Sequence, residues 1–231
     1  MIKLITGFLL AGAIMLVNVP EVKVAGTMKN IMMKGDLSAH LNLDTVNKTN
    51  LYGLGPVAGL KGEIIILDGK VYTTSLNGKQ LENKENKVSS AAMLVYCYVP
   101  KWKAITIDAA ISNYAELESV IEKTAAAEGI DAGKPFPFKI AGTTEKATYH
   151  IIDWKEGVDH TIDNHKKFAF AGNMVNQKVT MLGFYSKHHQ SIFTHHTTFM
   201  HVHIMDDDTK NVGHLDELQL NGLFTVYLPE Q

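Results

Sequence analysis

What most limits the fold of this chain is the succession of short strand-like runs that fills it after residue 135. Phe136–Ile140, Ala147–Ile152, Val179–Tyr185, Thr197–Met205 and Leu223–Leu228 are rich in β-branched and aromatic residues, and polar or glycine-containing stretches separate them. Earlier in the chain, Glu63–Leu67 and Lys70–Thr74 flank Asp68-Gly69, a pair that accepts the positive φ of a tight hairpin. Ala91–Val99 is apolar enough for a buried strand, and the polar stretch Asn77–Lys87 reads as a solvated loop. Two helices stand out. Asn113–Glu128 has Asn113 as its cap, Glu116 as the capping partner, Leu117, Val120, Ile121 and Thr124 on one face, and Gly129 to end it. A shorter one spans Thr27–Lys34 and stops at Gly35. Strand runs without regular βαβ alternation predict an α+β fold with largely antiparallel sheet.

The chain's 231 residues suffice for one large domain or two small ones. Its net charge of -2 gives no reason to expect a nucleic-acid partner. All 22 basic residues are lysine, so the chain has no arginine with which to clamp a carboxylate. The single cysteine, Cys97, sits in an apolar run, which predicts a buried, inert thiol. At the N-terminus one lysine precedes a mostly apolar stretch from Leu4 to Val19, followed by Pro20 and Glu21. That layout predicts a signal peptide over residues 1–20, export to the periplasm or medium, and no stable membrane partner beyond that signal, with an uncleaved membrane anchor or a buried segment of a cytoplasmic protein as the alternatives. The stretch is shorter than the roughly 20 residues of a membrane span.

Seven of the eleven histidines fall between His188 and His214. Within TTFMHVHIMDDDTKNVGHLDEL, Met200–Met205 reads as a strand, so His201 and His203 share one face. Asp206–Asp208 and Asn211 make a turn, and the returning chain brings His214 back beside the pair. Three imidazoles with an open fourth position are how catalytic zinc is held, although nickel, iron, cobalt or copper would also accept them. His188, His189, His195 and His196 match no motif and read as surface residues or residues lining the site's mouth. No GxSxG motif or phosphate loop occurs, which argues against a serine hydrolase or a nucleotide enzyme. An HxH pair also resembles the first cupin motif, but the second cupin motif is absent.

Taken together, GEIIILDGKVYTT and HVHIMDDDTKNVGH resemble the α-acetolactate decarboxylase family, and the resemblance runs from about Val22 to Phe224. It implies two related halves of mixed or antiparallel sheet, about 22–111 and 112–231, within one domain over 22–231, and a homodimer. It further implies a zinc ion held by His201, His203 and His214, and the conversion of a 2-hydroxy-3-keto acid, 2-acetolactate, to acetoin and carbon dioxide. Glu63 matches a catalytic glutamate of the family, and Lys139 matches an arginine that the family places near the substrate. The chain departs from the pattern at Lys139, which lacks the guanidinium fork, and at Pro56, where the family has a threonine. A second carboxylate near the family's C-terminus has no obvious counterpart, with Asp216, Glu217 and Glu230 as stand-ins. These departures leave open a metal-binding homologue without decarboxylase activity, or a lyase for another keto acid.

Overall fold

A computed structural model describes residues 19–159 and 161–230. The apolar segment expected as an export signal lies, except for its last two residues, outside the described residues. In chain order the elements are β1 (Lys23–Ala25), α1 (Met28–Lys34), β2 (Leu41–Asn42), β3 (Leu51–Pro56), β4 (Glu63–Leu67), β5 (Lys70–Asn77), β6 (Gln80–Glu85), β7 (Ser90–Ala91), β8 (Leu94–Tyr98) and β9 (Trp102–Asp108). Then follow α2 (Tyr114–Ala127), β10 (Phe136–Ile152), α3 (Ile162–Lys167), β11 (Ala169–Val175), β12 (Lys178–Tyr185), β13 (Met200–Asp206), β14 (Val212–Leu220) and β15 (Leu223–Pro229). The fold is α+β with antiparallel sheets, as the strand pattern predicts. No described helix is long and apolar enough to cross a membrane.

A six-stranded sheet has the order β1-β8-β3-β4-β5-β6, and a seven-stranded sheet gathers β9 to β15. In the second sheet the 17-residue β10 organises everything else. Its first part pairs with β12, Phe136 opposite Tyr185, and its later part pairs with β14, His150 opposite His214. Because β12 also pairs with β13 and β13 with β14, the four strands β10, β12, β13 and β14 close into a ring of pairings. Leu117, Ile121 and Ala125 of α2 join the core of this curled sheet with Phe136, Phe138 and Ile140. A second core joins the two sheets: Tyr52, Leu54, Ile65, Val95 and Cys97 of the first meet Leu182, Phe184, Met205 and Val212 of the second. Burying an aliphatic side chain of this size stabilises by about 1.5–3 kcal/mol, so this interface fixes how the sheets face each other.

Local chemistry explains most elements. The β4–β5 turn has φ of 50° at Asp68 and 78° at Gly69, the pair of left-handed residues a two-residue hairpin requires. Asn113 Oδ1 accepts the Glu116 amide at 2.9 Å, and Glu116 in turn accepts the Ser112 amide. Thr27 caps α1 and Gly35 closes it in the left-handed region. Cys97 is buried, which pushes its thiol up and keeps it inert.

Three expectations are corrected. Asn77–Lys87 is not a loop, because Gln80–Glu85 pairs with β5 as an edge strand. Its lack of apolar alternation follows from exposure, since four of its six residues face solvent. Phe136–Ile140 and Ala147–Ile152 are one strand, the polar Thr143–Lys146 stretch between them being carried through by pairing on both edges. Ala91–Val99 is two strands separated at Ala92 and Met93. The strands Leu51–Pro56, Trp102–Asp108 and Ala169–Val175, and the short helix Ile162–Lys167, were not foreseen.

Candidate metal centre

The register of three strands assembles the site. On β13 and β14, His203 stands directly opposite His214, and on β14 and β10, His214 stands directly opposite His150. Directly opposed residues in an antiparallel pair share a face, so three imidazoles line up across the strands. His201 follows two residues before His203, on the same face. Potential ligand atoms of His201, His203 and His214 all lie within 4.8 Å of one another. Gly213 is required beside them, because a Cβ there would come within 2.2 Å of the Tyr149 ring.

The donor atoms fit a metal ion. His203 Nδ1 lies 2.8 Å from the Ile64 carbonyl, an acceptor, so this nitrogen carries the proton. That leaves Nε2 with a lone pair, buried and without a hydrogen-bond partner. Nε2 of His201 and Nδ1 of His214 face each other at 3.1 Å. Two nitrogens on one tetrahedral zinc at about 2.0–2.1 Å would stand about 3.3 Å apart, close to this spacing. The three imidazoles are held well below the ordinary histidine range, first by burial and then by one another and His150. Neutral imidazoles are what a metal needs, and the fold supplies them without deprotonation cost.

This sets an acid sensitivity. A pKa below the ordinary 6.5 means the folded state refuses protons that the unfolded chain accepts, so the stability is present above about pH 6.5 and lost below it. Glu63 and His150, both shifted upward, work in the opposite sense, His150 mainly above about pH 6.5, but they are two groups against three. The metal-free protein should therefore melt at progressively lower temperature between about pH 6.5 and 4.5, and bound zinc should raise the melting temperature without removing that dependence, because metal-bound imidazoles take up no protons either. Thermal melts with and without zinc across this range test it, and a melting temperature that does not fall with acid in the metal-free protein would contradict it.

Glu63, the first residue of β4, reaches the centre from the other sheet and is 3% exposed. Its Oε2 lies 3.6 Å from His203 Nε2, beyond hydrogen-bond distance. Its Oε1 accepts the Ile152 amide at 3.4 Å. Burial pushes its carboxyl up to about 7, against the charge of His150 and the Ile152 amide. Pro56 pairs with Glu63 in register and also borders the cavity.

His150 and Asp216 complete the centre, and the sequence reading missed His150. Asp216 is the extra residue of a β-bulge, since Thr148 pairs with Glu217 and Tyr149 with Leu215. From there Asp216 Oδ1 meets His150 Nδ1 at 2.7 Å. Burial pulls the His150 imidazole down, but Asp216 and Glu63 outweigh it and the net shift is upward. Of the three stand-in carboxylates only Asp216 lines the cavity; Glu217 accepts the Tyr114 amide at the start of α2. The one available signal for His150 was its place on an otherwise apolar strand. Among the four unplaced histidines, His195 lines the cavity, whereas His189 bonds to Ser186 and stacks on Phe193.

Lys139 does not line this cavity. It shares β10 with His150, but eleven residues (150 − 139) of strand at about 3.3 Å each separate them, about 36 Å along the chain. Its ammonium lies 4.6 Å from the Trp102 ring, 4.9 Å from Tyr227 and 5.2 Å from Tyr52, an aromatic box that joins the two sheets. A Lys139→Met variant should lose about 1–2 kcal/mol of stability with little change in turnover. A large loss of activity at unchanged stability would return Lys139 to the site.

Comparisons with known proteins accord with this geometry. The chain matches the family model described as alpha-acetolactate decarboxylase over residues 25–228. No curated protein sequence matches it. The fold is similar to acetolactate decarboxylase from Bacillus subtilis subspecies spizizenii, with a TM-score of 0.75, 18% identity, and 91% of this chain and 86% of that chain covered. The enzyme from Bacillus subtilis strain 168 gives a TM-score of 0.75 at 17% identity over the same shares. A Staphylococcus aureus protein of unknown function, described as similar to alpha-acetolactate decarboxylase, gives 0.73 at 16%, again over the same shares.

Proposed function

The chain belongs to the alpha-acetolactate decarboxylase family, and on that premise we propose that it is a metal-dependent carboxy-lyase acting on 2-acetolactate or a close 2-hydroxy-3-keto acid. The observation that carries the reading is the convergence of His201, His203 and His214 beside the buried carboxyl of Glu63. A divalent metal, zinc by the donor set, would be held by the three histidines and would act as Lewis acid toward the oxygens of the bound hydroxy-keto group.

The remaining steps belong to side chains of this chain. When the bond between C2 and the carboxylate breaks, carbon dioxide leaves and its electron pair passes into the adjacent keto group as an enolate. A proton must then be returned to C2. Glu63 can give it, because its carboxyl borders the three histidines and burial raises its affinity for a proton. The His150–Asp216 pair stands where a polar end of the substrate would be oriented, and it takes the positioning part that the sequence reading gave to Lys139. The largely apolar lining offers few partners to water beside the carbanion-like carbon.

The test is release of carbon dioxide and acetoin from 2-acetolactate by the zinc-loaded chain. Metal retained without turnover would favour the reading as a binding homologue.

A further inference from the structure

The cavity beside the three-histidine centre, lined by His201 and His214, has a volume of about 500 Å³, and most of its surface is not polar. Beyond Glu63, His150, His201, His214 and Asp216 its lining includes His165 and His195 and an apolar wall in which Met28, Ile31 and Met32 of α1 join Leu60, Met93 and Ile152. Four of these are firmly seated: Ile31, Leu60, Met93 and Ile152 are 4%, 1%, 1% and 3% exposed. The helix that carries Met28, Ile31 and Met32 is tied in place by hydrogen bonds from the Met28 and Lys29 amides to the Ile192 and Ser191 carbonyls. A pocket of this size matches ligands well beyond a five-carbon acid. Methionine side chains, unbranched and polarisable, adapt to apolar groups of varied shape. Among the described residues no lysine lines the cavity, and the chain has no arginine, so the cationic partners left for a second carboxylate are imidazoles.

We propose that the substrate of this site is a 2-hydroxy-3-keto acid whose acyl group is an apolar chain or ring larger than the acetyl of 2-acetolactate, seated against the wall formed by α1, Leu60, Met93 and Ile152. This rests on the decarboxylase reading of the same centre. The wall is continuous with that centre, so an acid oriented by its hydroxy-keto end extends its acyl group along apolar surface. The reaction is otherwise unchanged: the bond to the carboxylate breaks, carbon dioxide leaves, and the same carbon is reprotonated to give a longer acyloin.

The experiment uses the full zinc-loaded chain and 2-hydroxy-2-methyl-3-oxo acids with acetyl, butanoyl, hexanoyl and benzoyl groups, plus a carboxylate-ended acyl group of matched length. Each added methylene should raise kcat/KM by about four-fold, chiefly through KM, until the wall is covered. The carboxylate-ended acid should be turned over worse than its apolar counterpart. Calorimetric binding of the corresponding acyloin products, which needs no turnover, should tighten in the same order. Ala169→Leu, which narrows the cavity, should move the optimum to shorter groups, with Met32→Trp as a second narrowing variant.

Best turnover of 2-acetolactate, with acyloin binding indifferent to chain length, would overturn this inference and leave the decarboxylase reading intact. Acyloin binding that tightens with length, with no carbon dioxide from any member, would uphold the apolar subsite and remove the reaction. Neither turnover nor length-dependent binding would overturn both.

Discussion

A His203→Ala variant is expected to lose its metal and its decarboxylase activity together. His203 is fully buried, is fixed by its bond to the Ile64 carbonyl, and faces the site with an unpartnered nitrogen. Its removal takes one of three protein ligands and opens a void between the sheets. The loss of affinity should exceed the about 10–100-fold that follows from removing a supporting hydrogen bond to a ligand. Metal analysis after dialysis reads this directly, and thermal melting reports the state of the fold. Full metal occupancy in a folded variant would place the metal elsewhere.

Glu63→Gln should separate binding from chemistry. Glutamine has nearly the same shape and can still accept the Ile152 amide, but it cannot deliver an acidic proton. Turnover should fall by about 10²–10⁴-fold, the usual contribution of a positioned general acid, while metal content stays as in the parent. The variant should also keep its fold, since a neutral side chain replaces a buried carboxyl whose charged form burial already disfavours. Turnover within a few-fold of the parent would remove Glu63 from the proton-returning role and turn attention to His150.

The two predictions draw on different depths of sequence information. His201 and His203 were legible because strand alternation depends on local spacing alone, and His214 because a short acidic turn returns the chain. Glu63 was legible only through the family resemblance, since nothing in GEIII says which residue of the strand faces the other sheet. His150 was hidden for a different reason. Its place opposite His214 depends on β10 continuing past Thr143–Lys146, which read as a break, and on pairing across sixty-four residues (214 − 150) of chain. Asp216 owes its place beside His150 to a β-bulge, an insertion in register that no periodicity announces.

Lys139 shows the converse. Matching by motif assigned it a charge-bearing part near the substrate, whereas the register sets it opposite Leu182 and Tyr227, far along the strand from the histidines. Among the described residues the cavity lining thus holds no lysine, and the groups proposed to orient the substrate are an imidazole and a carboxylate on adjacent strands. The fold class followed from the strand runs, because antiparallel sheet leaves alternating apolar residues wherever one face is buried. Edge strand β6 escaped notice because that alternation vanishes when most of a strand is solvated.

The most direct test of the account is metal content and acetoin formation measured on one sample of the zinc-loaded protein given racemic 2-acetolactate. The account predicts about one zinc per chain, as a single three-histidine set holds, and acetoin produced with carbon dioxide in equal amounts. A protein that binds no zinc, or that forms acetoin equally well after its metal is stripped, would contradict it.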